Sequence, residues 1–395
     1  MLVVVAPGQG SQSAGFLTPW LERPGVTDRL SWLSTVSGVD LIKHGTDSDA
    51  DTIRDTAIAQ PLIVGAGLVM LLELFPHPAE GFSRIAAGAG HSVGEITAAS
   101  AAGVLSAEQA MVFVRERGVA MARAAAATPT GMSAVLGGDA DEVLSALSRH
   151  GLTAANMNTV GQIVAAGTLE QLAALAADPP AGARVRSLEV AGAFHTEHME
   201  PAKAVLAHHS RAISTHDPRI RLLSNADGRV VHDGREVLRR LVSQVSSPVR
   251  WDLCMTAMAE LGATALIEIP PAGTLSALAK RALPGVEIVS VRTPDDLPAA
   301  HDLIARHGTV SPLTHSPTWR LVVSPSKGTV RITEPSEAGD HVPPGSIVAL
   351  VTSLRDELQI TAPHGGVVVE WLVEDGDPVA PGQPLLRLHP IGGSS

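Results

Sequence analysis

One serine in this chain sits where a side chain can attack a carbonyl. It lies in Gly90-His91-Ser92-Val93-Gly94, after a run of small and apolar residues (Ile85, Ala86, Ala87, Ala89) and before Glu95-Ile96-Thr97-Ala98-Ala99, which reads as a helix start. Strand, sharp turn and helix put Ser92 at the apex of a nucleophile elbow. Such a turn strains its central residue, and flanking glycines leave room for the strand and helix to cross. The turn also aims the Val93 backbone N–H, at a helix N-terminus, toward the place where an oxyanion forms during attack. The chemistry this spacing suits is acyl transfer. The five-residue pattern also occurs in ordinary loops, so its surroundings must decide.

A base is needed, and His195 in Ala191-Gly192-Ala193-Phe194-His195-Thr196-Glu197-His198 is placed for it, just after an expected strand end. The alternative is a structural histidine. The pair His195 and His198 has no third ligand at suitable spacing, so a metal site is not expected. No clear acid at a strand end follows His195. A chain-ordered Ser…Asp/Glu…His triad does not present itself either, and the third member is expected to be neutral.

These groups must be brought together by a sheet. Leu2 to Ala6 reads as a buried parallel strand opening into Pro7-Gly8-Gln9-Gly10-Ser11-Gln12. Loops at the carboxyl ends of parallel strands gather around one site, which puts the Gln9 backbone N–H beside the elbow as a second oxyanion donor. A long apolar helix is expected from Ile58 to Phe75, and another after Ser106 as N-cap, carrying Arg115 and Arg117. Two places apart on a helix, at most one of these arginines faces a given cleft. Residues 131–190 read as strand, helix, strand, strand, helix, strand, the βαββαβ ferredoxin-like unit. The expected architecture is an α/β domain over 1–308, with a hydrolase-like large subdomain built on a parallel sheet (1–130 and 191–308) and an inserted small subdomain (131–190).

Composition narrows the classes. The 395 residues are 45% hydrophobic with a net charge of -11 and only four lysines (Lys43, Lys203, Lys280, Lys327), against nucleic-acid binding, which needs a basic face. The apolar N-terminal run has no basic segment before it and reads as a strand rather than a signal peptide. No apolar run is expected to reach the roughly 18 residues of a membrane span. Cys254 is the single cysteine, which fits a reducing cytoplasm, and it falls on an expected helix as a core thiol.

With these pieces placed, residues 1–308 resemble the malonyl-CoA:acyl-carrier-protein transacylases of fatty-acid and polyketide synthesis, especially the actinobacterial ones. The stretches that carry the resemblance are PGQGSQ (7–12), AQP (59–61), GHSVGE (90–95), RERG (115–118), NMNTVGQIVAAG (156–167), GAFH (192–195) and QVSSPVRW (244–251). It implies Ser92 as nucleophile, His195 as base, Gln244 as the residue whose side chain or backbone oxygen orients the imidazole, and Gln9 and Val93 as oxyanion donors. It further implies that Arg117 holds the free malonyl carboxylate by a bidentate pair, that Phe194 fills the space a branched acyl group needs, and that His91 and Met121 line the substrate site. The implied reaction passes malonyl from malonyl-CoA through Ser92 to the phosphopantetheine thiol of a holo acyl carrier protein, with no cofactor. Weighed against it are a serine thioesterase or acyl hydrolase, an acyltransferase for another extender unit, and a scaffold with a spent site. A hydrolase predicts a carboxylic third member and no cleft arginine.

A Pro/Ser/Thr linker is expected at 309–318, followed by an internal repeat. GDHVPPGSIVAL (339–350) returns as GDPVAPGQPLLRL (376–388). Residues 319–390 resemble the biotinyl/lipoyl carrier domain, a flattened all-β barrel of two similar halves. That family carries its modified lysine on a hairpin, which here is 353–357, and the lysine position falls on Arg355. No lysine follows Lys327, and a guanidinium cannot form the amide that attaches biotin or lipoate. No attachment is expected. Either a folded appendage or a docking domain fits these residues, with no partner specified by them.

Overall fold

The computed structural model describes residues 1–308, 320–333, 337, 339–353 and 356–389. The expected linker at 309–318 and the Arg355 position lie outside them. The chain divides into two compact units, Met1–Val310 and Ser311–Ser395.

The first unit opens with β1 (Leu2–Ala6), buried along its whole length, as an uninterrupted LVVVA run requires of a strand covered on both faces. Helices α1 (Val26–Ser37), α2 (Leu41–Thr46), α3 (Thr56–Leu74) and α4 (Pro78–Arg84) lead to β2 (Ala87–Gly90), α5 (Gly94–Ala101) and α6 (Ala107–Ala127). Ser106 caps α6 in a full capping box with Gln109. The insertion follows as β3 (Thr130–Gly137), α7 (Ala140–Arg149), β4 (Thr153–Thr159), β5 (Gln162–Thr168), α8 (Leu169–Ala177) and β6 (Ala183–Ser187). After it come α9 (Glu200–Ser210), β7 (Arg221–Leu223), β8 (Val230–Val231), α10 (Gly234–Gln244), β9 (Val249–Arg250), α11 (Trp251–Glu260), β10 (Ala265–Glu268), α12 (Thr274–Ala282), β11 (Glu287–Ser290) and α13 (Leu297–His307).

The large sheet has the order β11-β10-β1-β2-β7-β8. Every pairing is parallel except β7 with β8. Because β1 and β2 are neighbours, the loops leaving them emerge side by side at the carboxyl edge. That adjacency sets Gln9 next to Ser92. The insertion pairs antiparallel as β6-β3-β5-β4, the ferredoxin-like order, and β9 of the large subdomain joins β4 in parallel. The last strand of the insertion stops at Ser187 rather than running to Val190, since the chain turns there toward His195.

One expectation is corrected. Helix α3 has 19 residues with a mean hydropathy of 1.9, long and apolar enough to cross a membrane by length and composition. The physical reason lies in its position: 78% of that window is buried inside the domain, and a helix enclosed on all sides is apolar all round.

The second unit holds β12 (Arg320–Val323), β13 (Gly328–Ile332), β14 (His341–Val342), β15 (Ser346–Thr352), β16 (Glu357–Ala362), β17 (Gly366–Trp371), β18 (Pro378–Val379) and β19 (Pro384–His389). They form two antiparallel sheets, β12-β19-β17-β14 and β16-β15-β13-β18. Exchanging the first four strands with the last four, in order, turns one sheet into the other. That is the pseudo-twofold built by the sequence repeat. The shared core includes Val330, Ala349, Val351, Ala362, Leu385 and Leu386. The expected hairpin closes between Thr352 and Glu357, with Ser353 N donating to Asp356 O at 2.8 Å.

Candidate active site

Two non-glycine residues among those described have positive φ, Ser92 (52°) and His195 (63°). Strain of this kind survives only where the surroundings fix it, and the two side chains meet. Ser92 Oγ lies 2.7 Å from His195 Nε2. At the elbow, a Cβ on Gly90 would fall inside the Gly94 backbone and one on Gly94 inside the Ala6 and Pro7 carbonyls, so both positions admit only glycine. Asn225, two residues past the end of β7, ties the turn. Its Oδ1 accepts from Ser92 N at 2.8 Å and its Nδ2 donates to Gly90 O at 2.8 Å.

His195 Nδ1 lies 2.8 Å from the backbone oxygen of Gln244. Of the two ways Gln244 was expected to orient the imidazole, the structure uses the main chain. A carbonyl oxygen only accepts, so Nδ1 carries the hydrogen and Nε2 is free to take the Ser92 proton. Burial, with the nearby Arg117 charge, lowers the His195 pKa to about 3, which keeps the ring neutral.

The Gln244 side chain faces the other way and organises a buried polar cluster. Its Oε1 accepts from Arg117 Nη2 at 2.9 Å, while its Nε2 donates to Ser92 O at 3.1 Å and to Glu95 Oε2. Arg117 is 1% exposed, and it also donates to Gln60 Oε1 at 2.7 Å and lies 3.4 Å from Ser92 Oγ. Desolvation pulls its pKa down to about 9, still cationic at neutral pH. Arg115, by contrast, is half-exposed beside Glu116. Burial pushes the Glu95 carboxyl up to about 7.

Among the described residues neither Gln9 N nor Val93 N donates to a protein acceptor, as two oxyanion donors require. The Gln9 side chain instead donates to Thr56 Oγ1 at 3.2 Å. A cavity of about 640 Å³ opens over Ser92 and His195, with Phe194, Met121, His91 and Gln9 in its wall and Asn156, Asn158 and Val164 of the insertion opposite. His91 is set by Asn158 Oδ1 at 2.9 Å and by the Trp251 ring edge. Burial pushes the Cys254 thiol up, and it donates to Ser224 O at 3.3 Å as a core residue. Among the described residues no group of three or more His, Cys, Asp or Glu is placed to hold a metal.

The expected residues of the first unit thus converge, and of the two arginines on α6 it is Arg117 that joins them, as expected. Sequence reasoning gave no role to Glu95, Asn225, Gln60 or Asn158. Three of them lay inside quoted motifs; the signal for Asn225 was a polar residue closing an apolar strand next to the one that carries the serine.

An elbow serine paired to a histidine anchored on a main-chain carbonyl, in an α/β domain with a ferredoxin-like insertion, defines a serine acyltransferase. Residues 3–293 match the acyl transferase domain family, and 322–388 match the biotin/lipoyl family described as biotin-requiring enzyme. A malonyl CoA-acyl carrier protein transacylase of Mycobacterium tuberculosis is 50% identical over 297 residues, covering 75% of this chain and 98% of the relative. The crystal structure of MCAT from that organism superposes with a TM-score of 0.74 at 50% identity, covering 76% of this chain and 99% of that one. A complex of a type II PKS acyl-carrier protein with its malonyl-transacylase gives a TM-score of 0.69 at 27% identity, covering 76% and 99%. The chain belongs to the malonyl CoA-acyl carrier protein transacylase family.

Proposed function

We propose that this enzyme moves the malonyl group from malonyl-CoA to the thiol of a holo acyl carrier protein through a malonyl-Ser92 intermediate, in the cytoplasm. The observation that carries the reading is the 2.7 Å contact of Ser92 Oγ with His195 Nε2, beside a buried guanidinium 3.4 Å from the same oxygen. Ser92 gives its proton to His195 Nε2 as it attacks the thioester carbonyl. The backbone N–H groups of Gln9 and Val93 meet the developing oxyanion, and the Gln244 carbonyl steadies the imidazolium through Nδ1. His195 then returns the proton to the departing CoA sulfur. The carrier thiol repeats the cycle in reverse.

Arg117 selects the acyl group. A malonyl carboxylate pairs with its guanidinium, whereas an acetyl group leaves that buried charge unmatched, a difference on the order of 1–3 kcal/mol or more. Phe194 crowds branched analogues. The neutral anchor of His195 and the buried arginine disfavour a hydrolase, which gains nothing from a carboxylate clamp.

No bound cofactor enters this scheme, and the second unit carries no biotin or lipoate in our reading, since arginine holds the lysine position. Intact-mass measurement after coexpression with biotin and lipoate ligases checks this, and added mass on residues 319–390 would overturn it. The transfer itself is tested with radiolabelled malonyl-CoA and holo carrier protein. Arg117→Ala is expected to lose the preference for malonyl over acetyl; if the preference survives, the clamp lies elsewhere.

A further inference from the structure

Among the described residues Arg117 donates to neutral oxygens only: Gln60 Oε1, Gln244 Oε1 and Ser92 Oγ. The acid that acts on it electrostatically is Glu95, one amide away. Glu95 is 4% exposed, and its carboxylate accepts from Gln244 Nε2 and from Asn225 N at 3.0 Å. Gln244 is therefore oriented from both ends, its amide nitrogen on the acid and its amide oxygen on the guanidinium. Reversed, it would set donor against donor and acceptor against acceptor.

The other charged or titratable groups around Glu95 are already committed. Arg240 on α10 is held by Asp227 at 2.7 Å and Glu236 at 2.6 Å. The Cys254 thiol on α11 is kept neutral by burial, and His195 and His91 are likewise held neutral. One cation and one anion thus balance behind Ser92. A malonyl carboxylate arriving on Arg117 makes two anions against one cation in a dry site, where an uncompensated charge is costly.

We propose that Glu95 is a positioning residue that sets malonyl specificity: through Gln244 it fixes Arg117 toward Ser92, and its carboxylate takes up one proton from solvent when the malonyl carboxylate binds. This rests on the reading that Arg117 receives that carboxylate. The step is COO⁻ plus H⁺ to COOH, with no other bond made or broken. A cavity of about 80 Å³ behind Glu95, walled by Ser224, Arg240, Ser243 and Ser247, gives the proton its route, and Arg239 at its rim is 76% exposed. The Ser224 hydroxyl, which donates to the ionised carboxylate, turns on protonation to accept the new O–H. The carboxyl already titrates near neutrality.

The test uses full-length Ser92→Ala protein, which binds malonyl-CoA without being acylated, titrated calorimetrically at pH 7.5 in two buffers of different ionisation enthalpy. Uptake of roughly 0.8 proton per site is expected, the ionised fraction at pH 7.5 of a group titrating near 7. Adding Glu95→Gln should abolish the uptake. With Ser92 intact, the wild-type KM for malonyl-CoA should climb toward tenfold per pH unit above 7, and Glu95→Gln should flatten it. No uptake in Ser92→Ala, equal uptake in the double variant, or an unchanged KM slope in Glu95→Gln overturns the proposal. If Glu95→Gln does not fold, the two-buffer comparison on Ser92→Ala decides alone. Should Arg117→Ala keep the malonyl preference, the underlying reading fails; should it lose the preference while Ser92→Ala shows no uptake, only the role of Glu95 fails.

Discussion

His195 works as a base only while neutral, and its neutrality has a cost that can be measured. Its pKa is about 3 when folded, by burial first and by the Arg117 charge second, against 6.5 for a free histidine. Between those values the unfolded chain binds the extra proton, so this group makes stability fall as pH drops from about 6.5 toward 3. Glu95 has the opposite sign, since its pKa rises from 4.5 to about 7 and its burial costs stability as pH climbs through that range. His195→Gln is therefore expected to flatten the acid side of the urea midpoint plotted against pH; an unaltered acid slope would contradict the assigned environment. Arg117→Lys keeps a charge but loses the planar fork, and kcat/KM for malonyl-CoA is expected to fall at least about tenfold while the protein stays folded. A lysine variant with wild-type kcat/KM would show that the fork is not used.

At the scale of elements, the elbow depends on a close crossing of β2 and α5 and on Asn225 from the end of β7. Gly94→Ala forces a Cβ into the Ala6 and Pro7 carbonyls, which are backbone and cannot turn aside, so the loss of stability read from urea denaturation is expected to exceed the roughly 1–3 kcal/mol of ordinary core overpacking. Asn225→Ala leaves Ser92 N and Gly90 O without their partner, again about 1–3 kcal/mol, and should lower kcat more than KM because it loosens the nucleophile. The elbow and the βαββαβ insertion were legible because glycine spacing, strand alternation and helix caps are local signals. The polar cluster was not. Asn225 meets Ser92 from 133 positions away, and hydrophobic periodicity reports which faces are buried without saying which polar groups are satisfied among them. The anchor of His195 stayed open between side chain and main chain for a related reason: a backbone carbonyl has no residue type to betray it.

The whole molecule joins an acyl-transfer unit with its own core to a repeat-built β unit. The acyl transferase domain match, residues 3–293, lies within the first unit, and the 297 residues aligned with the M. tuberculosis transacylase span 98% of that relative. Residues 1–308 alone are expected to keep wild-type kcat/KM for malonyl transfer; a large loss would assign the second unit a part in the reaction. The two-sheet repeat was readable from GDHVPPG and GDPVAPG because the two halves build the same set of strands, whereas the membrane-length hydropathy of α3 comes from enclosure within a large core, a long-range property that no local signal reports. The central claim, that malonyl passes through Ser92, is tested most directly by mixing the full-length enzyme with malonyl-CoA without carrier protein, quenching, and mapping added mass by peptide mass spectrometry. One malonyl group on the peptide that holds Ser92, removed by holo carrier protein and absent in Ser92→Ala, is the expected result. A malonyl group on another residue, or labelling that persists in Ser92→Ala, would contradict it.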